Sequence, residues 1–133
     1  MINAVHVLFY SPDADADSAF LRDVLGLPFV DVGHGWLIFG LPPAEVAVHP
    51  ADAPFAQTHA DISMAGSILY FMCDDLDETM KGLAAKHVKC TPVDREAWGI
   101  RTSFLLPSGM HVGLYQPTHE TAYGLWNAPA RRA

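Results

Sequence analysis

Residues 5–11 read Val-His-Val-Leu-Phe-Tyr-Ser, and residues 67–73 read Ser-Ile-Leu-Tyr-Phe-Met-Cys. Each is a short apolar run rich in β-branched and aromatic side chains, the pattern of a buried strand. Each is followed by acidic residues and then by apolar residues at helical spacing. The runs superimpose at an offset of 62 residues, which pairs His6 with Ile68 and Phe9 with Phe71. Two copies of a unit this long fill the chain, so the repeat is a duplicated supersecondary module and not a solenoid. The duplication also points to a site, because a polar residue in one copy stands opposite an apolar residue in the other.

In the first copy, Asp13, Asp15 and Asp17 suit a helix N-terminus. Ala16, Ala19, Phe20 and Val24 recur at helical spacing, and Gly26 with Pro28 stops the helix. Two short strands, 29–32 and 36–39, flank the turn Gly33-His34-Gly35. Pro42-Pro43 then breaks the chain before a strand at 45–49. Residues 51–66 hold the weakest pattern and are read as a linker. In the second copy, Asp74, Asp75 and Asp77 precede a helix marked by Leu76, Met80, Leu83 and Ala84. Strands follow at 88–92, 100–106 and 110–116, the last two joined by Pro107-Ser108-Gly109. The chain is thus one domain, 1–133, with modules at about 4–50 and 67–117 and a tail at 118–133 whose last residues fray.

The 133 residues are half apolar and 17% charged, which describes a folded globule. A net charge of −7 argues against nucleic acid and anionic membrane as partners. No apolar run nears the roughly 20 residues of a membrane span, and the first ten residues lack a signal peptide's basic start. A cytoplasmic protein is expected. Cys73 and Cys90 have no metal-type spacing and are read as free, buried thiols. No phosphate-binding glycine loop, Ser-His-Asp arrangement or paired-cysteine motif is present.

Phe20-Leu21-Arg22-Asp23-Val24-Leu25-Gly26-Leu27 resembles the helix-to-glycine segment of the vicinal oxygen chelate superfamily. That group contains glyoxalases, extradiol dioxygenases, fosfomycin-resistance enzymes and bleomycin-binding proteins. Ala97-Trp98-Gly99-Ile100-Arg101, Leu106-Pro107-Ser108-Gly109 and Gly113-Leu114-Tyr115 resemble the end of its second module. The resemblance covers about residues 4–117. It implies an α+β fold of two βαβββ modules forming a cupped mixed sheet, assembled as a homodimer. It does not specify the reaction.

In metal-using members, ligands come from four strand positions. On this resemblance His6 stands at the first and Glu45 at the second. The third, normally histidine, is Ile68, and the fourth, normally glutamate, is Gly113. Two protein ligands do not hold a catalytic zinc or a facial-triad iron, each of which needs three. Strand alternation puts His111 on the face of Gly113, ~7 Å along. A rebuilt site of His6, Glu45 and His111 holding Fe, Zn, Ni or Mn is therefore one alternative. A second is metal-free acid–base chemistry by His6 with Glu45, the carboxylate orienting the ring. A third leaves both as polar remnants on a cavity wall.

Tyr70, Met72 and Tyr115 offer apolar surface to a hydrophobic or aromatic ligand. Trp98 with Arg95 and Arg101 could clamp a planar or anionic one. The leading expectation is a glyoxalase/bleomycin-resistance/dioxygenase-like protein that binds a small hydrophobic or aromatic molecule without the standard metal. His6 and Glu45 are its polar end, and Tyr70, Met72, Trp98, Arg101, His111 and Tyr115 line it. The competing expectation is a divalent-metal-dependent dioxygenase- or glyoxalase-like enzyme.

Overall fold

Asp13 and Asp75 each start a helix of 10 residues. In a computed structural model, which describes residues 6–125, α1 (Ala14–Asp23) begins with the Ala16 N–H donating to Asp13 Oδ1 at 3.2 Å. In α2 (Leu76–Ala85) the Glu78 N–H donates to Asp75 Oδ1 at 3.1 Å. Each cap satisfies a donor that has no intrahelical partner. The strands are β1 (Phe29–Asp31), β2 (Leu37–Phe39), β3 (Ala56–His59), β4 (Ile62–Ala65), β5 (Tyr70–Met72), β6 (Asp94–Glu96), β7 (Gly99–Leu105) and β8 (His111–Pro117). The chain divides into two compact units, Met1–Gly40 with Leu105–His111, and Leu41–Phe104 with Val112–Ala133. The fold is α+β, of the duplicated type expected from the repeat.

The first unit contains α1 and the antiparallel pair β1–β2, in register from Phe29↔Phe39 to Asp31↔Leu37. The Gly33-His34-Gly35 turn has φ of 125°, 55° and 76°, which two glycines make accessible. Asp17, in the first turn of α1, is buried. Its carboxylate accepts Ser11 Oγ and Ser108 Oγ, both at 2.7 Å, and the Ser108 N–H at 3.0 Å. Three donors stabilise this buried anion and tie the helix to the turn at 107–109.

The second unit is built on a mixed four-stranded sheet in the order β5-β8-β7-β6. β5 runs parallel to β8, and β6 antiparallel to β7. Its core is Leu76, Leu83, Val88, Phe104, Val112, Leu114 and Tyr115, all at 9% exposure or less. Each of the larger apolar side chains contributes about 1.5–3 kcal/mol on burial. Phe71 stacks on Phe104 with centroids 6.4 Å apart. The Leu76 N–H donates to Gln116 Oε1 at 2.9 Å, so a strand residue completes the helix N-terminus. Among the described residues no helix is long and apolar enough to cross a membrane.

Several expected elements differ. Residues 6–10 and 45–49 have the strand pattern, yet neither carries a regular element among the described residues. The strand expected at 88–92 reduces to a single bridge, Cys90↔Phe104. The segment 51–66, expected to be a linker, holds the hairpin β3–β4. Its turn residues Ala60 and Asp61 have φ of 50° and 63°, the two left-handed residues of a tight hairpin made without glycine. Cys73 and Cys90 are free as expected but half-buried instead of buried, and partial desolvation pushes both thiols up. Of the tail, residues 118–125 are described; the expected fraying of its last residues lies outside the described residues.

Candidate functional site

Parallel pairing puts Tyr70 beside Gly113 and Met72 beside Tyr115 on one face of the sheet. The Tyr70 ring lies over Gly113, and a Cβ at 113 would collide with it. The missing side chain is therefore filled by a neighbour's aromatic ring. Tyr70, Trp98 and Tyr115 form a triangle of edge-to-face rings. Centroid separations are 5.9 Å for Tyr70–Trp98, 5.4 Å for Tyr70–Tyr115 and 5.0 Å for Trp98–Tyr115. This arrangement matches the ring quadrupoles. Tyr115 is buried, while Tyr70 and Trp98 are half-buried and keep part of their rings in solvent.

A polar cluster adjoins the triangle. The Thr118 N–H donates to the Trp98 carbonyl at 3.0 Å, turning the chain so that His119 meets Tyr115. Tyr115 Oη is 3.2 Å from His119 Nε2, and His119 Nδ1 is 2.7 Å from the Glu120 carbonyl. The carbonyl only accepts, so Nδ1 carries a proton, and Nε2 shares a hydrogen bond with the Tyr115 hydroxyl. Glu45 Oε1 accepts the Ala122 N–H at 3.0 Å, and its Oε2 lies 3.9 Å from His119 Nε2. Burial, then the Glu45 charge and Tyr70, push the Tyr115 phenol up, so it stays protonated at neutral pH.

The residues singled out in the sequence are brought together in part. Glu45, Tyr70, Met72, Trp98 and Tyr115 belong to the second unit. Arg101 does too, but its guanidinium contacts Glu96 at 3.1 Å and Asp94 at 3.3 Å, and the Glu96 hydrogen bond raises its pKa. It braces β6 against β7. His6 and His111 are exposed and belong to the first unit. His119 was missed, because the tail has no periodicity to mark it. Its only signal was a ring four residues after Tyr115.

The four-strand metal site of the resemblance does not fit this chain. Ile68 offers no donor, and Tyr70 occupies the space a ligand at 113 would need. Among the described residues no group of three His, Cys, Asp or Glu side chains could hold a metal ion. Elsewhere in the unit, a surface depression of about 310 Å³ is lined by Met80, Ala84, Val88, Cys90 and Val93 together with Asp77 and Lys81. These two charges pair with each other at 3.2 Å.

The sequence model of the Glyoxalase/Bleomycin resistance protein/Dioxygenase superfamily matches residues 3–114. The chain belongs to this superfamily. Solved structures agree on the fold. A lactoylglutathione lyase from Agrobacterium tumefaciens aligns with TM-score 0.57 and 23% identity over 86% of this chain and 94% of its own. TnmS3, an antibiotic binding protein from Streptomyces sp. CB03234, gives 0.54 and 24% over 89% and 99%. The fosfomycin resistance protein FosX from Listeria monocytogenes gives 0.51 and 16% over 89% and 96%. No curated protein matches the chain. Superfamily relatives at these identities share a scaffold that hosts both catalysis and binding, so function is argued from the site.

Proposed function

We propose that this superfamily member binds a small hydrophobic or aromatic molecule on the Tyr70–Trp98–Tyr115 face, with Glu45 and His119 at the polar end. One observation carries the reading: the strand position that bears a metal ligand in metal-using relatives is Gly113, covered by the Tyr70 ring. An aromatic ring fills the space that a ligand side chain at 113 would need. Half-exposed rings beside a few fixed polar groups are what a site for an aromatic compound requires. Met72 extends the apolar face along β5, while Arg101 shapes the site by holding β6 and β7 together.

Calorimetric titration with a panel of naphthalene-sized aromatic compounds tests this. Saturable binding is expected, weakened about tenfold in Trp98→Ala, the loss typical of a central aromatic anchor. Absence of saturable binding to the folded wild type sinks the reading.

A second copy of the chain is the assembly partner in this proposal. Val46 and Val48, 92% and 94% exposed, are the apolar surface that supports it. Light scattering that returns a single chain of 14.5 kDa would overturn the dimer. The two free thiols fit a reducing, cytoplasmic compartment.

A further inference from the structure

Two strand positions beside the aromatic triangle carry no side chain, Gly113 on β8 and Gly99 on β7, and both are buried. Neither has a positive φ, so backbone conformation does not call for glycine at either place. Space does. A Cβ at 113 would collide with Cγ, Cδ1 and Cε1 of the Tyr70 ring. One at 99 would stand 3.1 Å from Cδ2 of Tyr115 and 2.6 Å from the Gln116 carbonyl oxygen. Glycine inside a strand weakens it and marks a close approach. Two of the three rings thus rest against backbone that has no Cβ. The backbone around Tyr70 is also fixed: the Gly113 N–H donates to the Leu69 carbonyl and the Cys73 N–H to the Tyr115 carbonyl, both at 3.0 Å. These bonds bracket Tyr70 on the β5–β8 ladder and leave its ring as the part that yields to an added atom.

We propose that Gly113 sets the size of the ligand: by seating the Tyr70 ring down on the sheet, it keeps room on the aromatic face for a planar compound of two fused rings. Gly113 touches no ligand and acts through Tyr70, as a positioning residue. A methyl at 113 lifts the ring off the sheet. The ring then enters the open side of the triangle, where Tyr70 and Trp98 are half-buried. A single ring still fits beside the lifted tyrosine; a second fused ring does not. In a site packed this closely, one methyl is enough to decide between them. Gly99 seats Tyr115 in the same manner, but there the added atom would also meet the Gln116 backbone. Ligand size is therefore adjustable at 113 and fixed at 99.

This inference rests on the aromatic-binding reading, so the experiment separates the two. Calorimetric titration compares 2-naphthol with 4-ethylphenol, which share a phenolic hydroxyl and differ in the fused ring. Wild type is expected to bind 2-naphthol roughly tenfold more tightly. In Gly113→Ala, shown to be folded by its thermal transition, the ratio should fall to about one. Tyr70→Leu, which keeps part of the apolar contact, should lower the ratio about threefold. Adding Gly113→Ala to Tyr70→Leu should leave the ratio where the leucine put it, because no ring remains to be lifted. A purely structural role for Gly113 would weaken both probes in proportion and keep the wild-type ratio, which overturns the proposal. So does a tenfold ratio that survives in Tyr70→Leu, a result that does not depend on the alanine variant folding. A further fall on adding Gly113→Ala to Tyr70→Leu overturns the route through Tyr70. Equal binding of both probes to wild type overturns size selection and leaves the aromatic face standing. Binding of neither overturns both readings.

Discussion

The two copies of the repeat begin from similar patterns and reach different degrees of order. The second copy builds two strands of 7 residues each and a core that includes Phe104 at 1% exposure. The first yields a hairpin of 3-residue strands, with Phe29 and Val30 at 45% and 59% exposure. The aspartate caps are equivalent in both copies, so local signals do not explain the difference. What differs is strand pairing: β8 has β5 on one side and β7 on the other, whereas residues 6–10 and 45–49 have no ladder partner among the described residues. A period-2 pattern states which face a strand would bury. It becomes a strand only when a neighbour completes its hydrogen bonds.

That contrast can be broken most severely at its best-packed point. Phe104→Ala should destabilise by about 3–5 kcal/mol in urea unfolding, whereas Phe39→Ala in half-buried β2 should cost about 1 kcal/mol. Equal losses would mean that the first copy is as well packed as the second. Next, Gly113→Ala should cost about 1–3 kcal/mol, because the added methyl meets the Tyr70 ring between paired strands. The double change with Tyr70→Ala should cost less than the two single losses together, a coupling that a thermodynamic cycle reads directly.

In the first unit, Asp17→Ala strands the Ser108 N–H and should lower stability by about 1–3 kcal/mol. No loss would show that the three donors to Asp17 do not hold α1 to its turn. The smallest effect is spectroscopic. Ultraviolet titration should show one tyrosine ionising above the usual value of about 10. Glu45→Gln should bring it down, since removing a nearby negative charge favours the phenolate. An unchanged titration would detach Glu45 from Tyr115.

Both helices were legible because an aspartate cap and apolar residues three and four apart are local facts. So was the hairpin at 107–109, whose turn residues specify it. The aromatic triangle was legible only as separate residues: Tyr70, Trp98 and Tyr115 were each read as wall, but their meeting depends on a parallel register across 43 residues. The role of Gly113 was hidden for the same reason. From sequence it is a lost ligand; in the fold it is the space that Tyr70 fills. The β3–β4 hairpin escaped because Ala60-Asp61 adopts left-handed geometry without the glycine or asparagine that usually announces it. The strand expected at Glu45 failed for want of a partner, and the tail that carries His119 offered no period to read.

The parallel pairing of Tyr70 with Gly113 also sets a clock on biosynthesis. At 5–20 residues per second, β5 waits roughly 2–9 s after emergence before its partner strand exists. Over the same interval α2 lacks Gln116 at its first turn, since that cap is supplied by β8. The nascent chain therefore carries Leu-Tyr-Phe-Met-Cys unpaired until translation has nearly passed the whole domain. Ribosomal speed through residues 74–112 thus becomes a determinant of how much protein folds and how much associates on the way.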